Sequence, residues 1–137
     1  MKVKYKSTCS RINLVEIRNF ISAQVSMMPL SVREKHQVVL AIDEACSNAI
    51  IHGNNCDESK EILIELESNE KLLKVDISDI GTAQIPLAFY RRSDVAELIR
   101  KRRKGGLGLK LMNNIMDEVT FNERGGRYFC TLIKHFS

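Results

Sequence analysis

The chain has 137 residues, 44% hydrophobic and 28% charged, with a net charge of +4, the balance of an ordinary globular domain long enough to bury its own core. No apolar run approaches the roughly 20 residues of a membrane span, and the opening MKVKYKSTCS lacks the apolar stretch of a secretory leader, so a single cytoplasmic domain is expected. The basicity is local: residues 90–110 carry eight Lys and Arg against Asp94 and Glu97, +6 in a chain that is −2 elsewhere.

In chain order, KVKYK at 2–6 alternates and predicts an edge strand. Ser10 is placed to cap a helix whose apolar positions Leu14, Ile17, Ile21, Val25 and Met28 follow helical spacing, with Pro29 as its stop. Ser31 and Glu34 form a capping-box pattern for a second helix. Its buried stripe is Val38, Val39, Ile42, Ala45, Cys46, Ala49 and Ile50, and Gly53 suits a left-handed terminus. EILIELES (61–68) and KLLKVDIS (71–78) read as strands joined at Asn69-Glu70. Residues 81–104 lack clear strand periodicity, apart from a short helix near 94–100, and a loop so long points to a lid. LKLMNNIM (109–116) reads as helix; EVTFNE and RYFCTLIKHF read as strands flanking a Gly125-Gly126 hairpin turn. The order β-α-α-β-β-loop-α-β-β predicts an α+β layer with helices on one face of a sheet. Cys9, Cys46, Cys56 and Cys130 show no CxxC or metal-like spacing and are expected to be reduced.

Three stretches carry candidate chemistry. On the second helix Glu44, Asn48 and His52 recur at four-residue steps, so they share one strip of the surface. A plain solvated face has such a strip too. Here it borders Ala41, Ala45 and Ala49, small residues that let something approach the backbone, and Asn is a poor mid-helix residue. Asp79-Ile80-Gly81 ends a strand. Ordinary turn chemistry explains it, as does a carboxylate that accepts from an exocyclic amine while Gly81 lets a flat ring lie close. Lys104-Gly105-Gly106-Leu107-Gly108-Leu109 opens a helix. It is either a hinge or a set of backbone N–H groups aimed at an anion, with the basic run 100–104 favouring phosphate. It lacks the GK[ST] ending of a Walker A loop and the βαβ setting of a Rossmann fingerprint.

The order of the three resembles the N, G1 and G2 boxes of the GHKL ATPase superfamily, from about residue 31 to the end. The short chain most resembles the anti-sigma-factor serine-protein kinases. That resemblance implies a two-layer α/β sandwich of the histidine-kinase-like ATPase (Bergerat) fold, with helices on one face of a mixed, mostly antiparallel sheet and a lid at about 81–108. It implies ATP and Mg²⁺ as cofactors, Asn48 as the Mg²⁺ ligand and Glu44 as general base for a partner's serine. It also implies Asp79 at the adenine amine, Gly81 beside the ring, and the Gly105, Gly106, Leu107 and Gly108 backbones at the phosphates. Lys104 or Lys110 would add charge, and His52 and Leu109 complete the expected site. The implied partners are a STAS-domain anti-anti-sigma factor and a sigma factor, with no direct nucleic acid and no membrane; whether the chain forms a homodimer stays open. Two departures stand out. DIGTAQ carries Ala83 where the motif's second glycine usually stands, and Gly126 is followed by Arg127 rather than the Thr that often touches adenine, Thr131 coming too late.

Other functions remain readable from the same residues. A non-catalytic, nucleotide-gated binding module would keep the site and lose the chemistry of Glu44. A nucleic-acid contact at Arg100–Lys104 lacks interleaved aromatic residues for stacking. A sensor histidine kinase fragment, suggested by His36 on a helix, lacks the length for a separate dimerisation hairpin.

Overall fold

The computed structural model describes residues 1–8, 10–49, 61–79 and 106–136. Strand β1 (Lys2–Thr8) leads through Ser10, whose extended backbone and hydroxyl, accepting from Asn13 N–H at 3.2 Å, cap helix α1 (Arg11–Val25). The helix stops four residues before Pro29, earlier than the apolar spacing through Met28 suggests. A proline ring clashes with the carbonyl four residues back, here that of Val25. Met28 is buried all the same, held by a turn in which its N–H donates to the Val25 carbonyl.

Helix α2 (Val32–Asn48) opens with the expected capping box: Ser31 Oγ accepts from Glu34 N–H at 3.1 Å, and Glu34 Oε1 accepts from Ser31 N–H at 3.3 Å. Strands β2 (Glu61–Ser68) and β3 (Leu72–Asp79) form a hairpin. Its turn is one residue longer than Asn69-Glu70, because Asn69 Oδ1 accepts from both Lys71 and Leu72 N–H. Helix α3 (Gly106–Ile115) begins three residues before the expected stretch and leads to β4 (Glu118–Arg124) and β5 (Arg127–His135). Gly125 and Gly126, at φ +59° and +79°, make the tight turn between those strands.

The strands make one sheet in the order β1-β2-β3-β5-β4. Every pairing is antiparallel, so the mixed character expected of the sheet is not found among the described strands. Connectivity explains this. The β2–β3 and β4–β5 hairpins reverse direction by construction, and the two helices between β1 and β2 return the chain to the end where β1 stopped.

Alternation sorts the faces. Ile62, Ile64 and Leu66 of β2, Leu73, Val75 and Ile77 of β3, Cys130 and Leu132 of β5, and Val119 and Phe121 of β4 point to the helices and are buried. Helix α2 packs against α1, α3 and the central strands, and Tyr5 of β1 stacks on Phe20 of α1 at 4.7 Å. Each fully buried Ile or Leu contributes about 2 kcal/mol, and together they fix the layer on which the candidate site is built. No helix among the described residues is long and apolar enough to cross a membrane.

Candidate functional site

The topology brings the end of α2, the end of β3 and the start of α3 to one end of the sheet. Lys134 Nζ donates to the Ile115 carbonyl at 3.0 Å, so the last turn of α3 lies beside the end of β5. The first turn of α3, at Gly106, therefore lies toward the opposite end, where β5 begins and β3 finishes at Asp79. Helices α1 and α2 are antiparallel, and Arg18 of α1 holds Asp43 of α2 through Nε and Nη2 at 3.1 and 3.0 Å. Asn13 near the start of α1 donates to the Thr8 carbonyl at 2.9 Å. The end of α2, at Asn48, thus lies at the same end as the close of β1 and the start of β2, which pairs Ile62 with Asp79.

Two cysteines place the last turns of α2 over that part of the sheet. Burial pushes the Cys130 thiol up to about 12, with the Asp76 and Asp79 carboxylates adding to it. The Cys46 thiol is raised by burial, then by Asp43 and by Cys130. Cys46 and Cys130 therefore lie near one another, with Asn48 two residues beyond the first and Asp79 within electrostatic reach of the second. Both thiols are free and buried, as their apolar settings predict.

Glu44 and Asn48 are half-buried on the outer strip of α2, about 6 Å apart along its axis. Among the described residues neither side chain takes a hydrogen bond or ion pair. Their neighbour Asp43 is committed to Arg18 and drops out as a candidate base. Ala41 and Ala45 correct the sequence expectation. They are 0% and 2% exposed, so their small size serves the packing of α2 against the core, while Ala49 is partly buried.

Asp79 is 6% exposed, a carboxylate held at the end of the central strand on the helix-facing side. Gly106 is the first residue of α3, so the amides of its first turn have no partners within the helix and suit an anion. Leu109 is 2% exposed and its side chain belongs to the core, leaving only its backbone N–H for a ligand. Lys110 is exposed. His52, Gly81, Ala83, Lys104 and Gly105, with most of the expected lid, lie outside the described residues. So do Cys9, Cys56 and the basic run 100–104.

Register also resolves the departure at the last strand. Arg127 and Thr131 turn to the face away from the helices. Arg127 Nε donates to Ser78 Oγ at 2.8 Å, and Thr131 donates its hydroxyl to Asp76. The residue opposite Asp79 on the helix-facing side is Tyr128. Sequence reading passed over it by counting from the glycine; counting back in twos from the buried Leu132 and Cys130 finds it.

The residue set fits a nucleotide and its metal ion. A Mg²⁺ bound chiefly through phosphate oxygens and water needs few protein ligands. Asn48 offers one such oxygen, although no cluster of three or more His, Cys, Asp or Glu able to hold a metal occurs among the described residues.

Residues 9–134 match the histidine kinase-like ATPase domain family. The chain is 32% identical over 116 residues to the serine-protein kinase RsbW of Bacillus subtilis, covering 80% of this chain and 71% of that protein. It is 30% identical over 99 residues to an anti-sigma F factor of Clostridium perfringens, covering 72% and 70%. Among solved structures, a chain of the SiaB–SiaC complex from Pseudomonas aeruginosa has the same fold, with a TM-score of 0.64 at 17% identity over 98% of this chain and 89% of that one.

Proposed function

The chain belongs to the histidine kinase-like ATPase domain family, and on that premise we propose that it is an ATP-dependent protein-serine kinase and anti-sigma factor. In this reading it phosphorylates a STAS-domain anti-anti-sigma partner and sequesters a sigma factor, switching between the two. The observation that carries the reading is the convergence of Glu44 and Asn48 of α2, Asp79 of β3 and the first turn of α3 at one end of the sheet.

Each residue then has a physical task. Asp79, buried and held on both sides by strand ladders, accepts a hydrogen bond from the exocyclic amine of adenine. The first-turn amides of α3 donate to the phosphate oxygens, where the helix dipole adds to the attraction. The side-chain oxygen of Asn48 would serve as one ligand of Mg²⁺. When bound, ATP would supply the phosphoryl group and Mg²⁺ would offset the phosphate charge. Glu44, one helical turn before Asn48, accepts the proton of the partner's serine hydroxyl. Because phosphoryl transfer rests mainly on positioning and charge neutralisation, a rigid α2 anchored by the core is suited to the work.

The test is phosphate transfer from γ-labelled ATP to the STAS-domain proteins of the source organism, comparing wild type with Glu44→Gln. Wild type should label a serine on one of them. The variant should lose transfer by about 100-fold or more while still binding Mg-ATP. Unchanged transfer in Glu44→Gln would remove that residue as the base. Absent transfer in wild type, with ATP binding intact, would leave a nucleotide-gated binding module.

A further inference from the structure

Asp79 is the residue proposed to read the base, yet a carboxylate only accepts hydrogen bonds. Guanine presents two adjacent donors, its N1–H and its 2-amino group, which suit a carboxylate at least as well as the single amine of adenine. Selecting adenine requires a donor beside the carboxylate, aimed at the ring nitrogen next to the amine. Among the described strands, few side chains can supply that donor.

Across the end of the sheet, the helix-facing row runs Ser7, Ile62, Asp79, Tyr128, Glu123. Ile62 has no polar side-chain atom, and Glu123 is an exposed acceptor. Ser7 is two strands from Asp79, about 10 Å away. Ser78, Arg127 and Thr131 face the opposite side, where they bond to one another or to Asp76. Tyr128 is the direct cross-strand partner of Asp79, half-buried, with its Cβ about 5 Å from that of the aspartate. Its phenol combines a donor with a rigid ring that limits how a base can slide along the carboxylate.

We propose that Tyr128 is a specificity-determining residue which, paired with Asp79, makes the site select adenine over guanine. The inference rests on the nucleotide-site reading of Asp79 given above. Neighbouring strands thus carry an acceptor and a donor in register, the two hydrogen-bonding types that the adenine edge calls for. Guanine set in the same pose would bring its O6 against the Asp79 carboxylate, leaving two acceptors face to face, a mismatch a hydrogen-bonding site rejects strongly.

The experiment is calorimetric titration of wild type, Tyr128→Phe and Asp79→Asn with Mg-ADP and Mg-GDP, which avoid turnover. Tyr128→Phe keeps the ring and removes the donor. It should weaken ADP about three- to tenfold, leave GDP unchanged or tighter, and so narrow the ADP-to-GDP preference by that factor. A preference unchanged within twofold in Tyr128→Phe, while Asp79→Asn abolishes ADP binding, would overturn the role of Tyr128 and leave the site standing. ADP binding absent from wild type, or undiminished by Asp79→Asn, would overturn the reading of Asp79 and this inference with it.

Discussion

Asn48→Ala separates a ligand-binding role from a structural one. Asn48 is half-buried at the last position of α2 and takes no side-chain hydrogen bond among the described residues. Its removal therefore costs the free protein little, and alanine is the better helix former by about 0.6 kcal/mol. At roughly 3 to 4 °C per kcal/mol for a domain of this size, the melting temperature of the free variant should stay within about 2 °C of wild type. Mg-ATP at 100 times its Kd stabilises wild type by about 2.7 kcal/mol, a shift of about 9 °C. If losing the Asn48 oxygen weakens Mg-ATP tenfold, the stabilisation at the same ligand concentration falls to about 1.4 kcal/mol and the shift to about 5 °C. A hundredfold loss leaves about 0.4 kcal/mol and little more than 1 °C. Thermal melts with and without Mg-ATP, repeated with EDTA, read all of this at once, and the difference between variant and wild type should vanish without Mg²⁺. An undiminished shift in Asn48→Ala would refute the metal-ligand role. A free variant melting more than about 5 °C below wild type would show that Asn48 is part of the framework instead.

Two further predictions concern the framework. Ser31→Ala removes the acceptor of the capping box at the far end of α2 and should cost about 1 kcal/mol, seen as a fall of about 3 to 4 °C in melting temperature; a weakened affinity for Mg-ADP would show that the start of the helix is coupled to its end. The buried thiols add a pH dependence: with Cys130 raised to about 12 in the folded chain, the unfolded chain ionises first. Stability is therefore fully present below the ordinary thiol range near 9 and falls as pH climbs from there toward 12, and denaturant titrations on wild type and Cys130→Ala should show a shallower fall in the variant. Equal slopes would mean that ionisation of Cys130 is not linked to folding.

The elements were legible because local rules and tertiary packing agree in this chain. The serine caps, the apolar stripe of α1 and the Gly125-Gly126 turn each say the same thing at both levels. Where reading fell short, the reasons are specific. The stop of α1 is hard to read locally because Met28 is apolar, in phase and buried, while the Pro29 ring, reaching back to Val25, breaks the helix. Ala41 and Ala45 looked like room for a ligand, since smallness alone does not say which neighbour fills the space. Tyr128 is hidden because its proposed role depends on register with a strand about 50 residues earlier, information that no local window holds. Glu44, Asn48 and Asp79 could be proposed from sequence because the resemblance supplied their order, and the fold brings the helix end, strand end and helix start to the same side.

The pairing of β3 with β5 has a consequence for how the protein comes into being. Each half of the sheet carries a hairpin that closes over a few residues, β2 with β3 and β4 with β5. The join between them bridges Asp79 and Tyr128, far apart along the chain, and such distant contacts form only after the entropy of closing the intervening loop has been met. Asp79 and Tyr128 stand on opposite sides of that seam, so neither hairpin holds the pair by itself. In a nascent or partly unfolded chain, the proposed adenine-reading pair arises at the step that zips the two halves of the sheet together, and nucleotide that engages both residues rewards completion of that step.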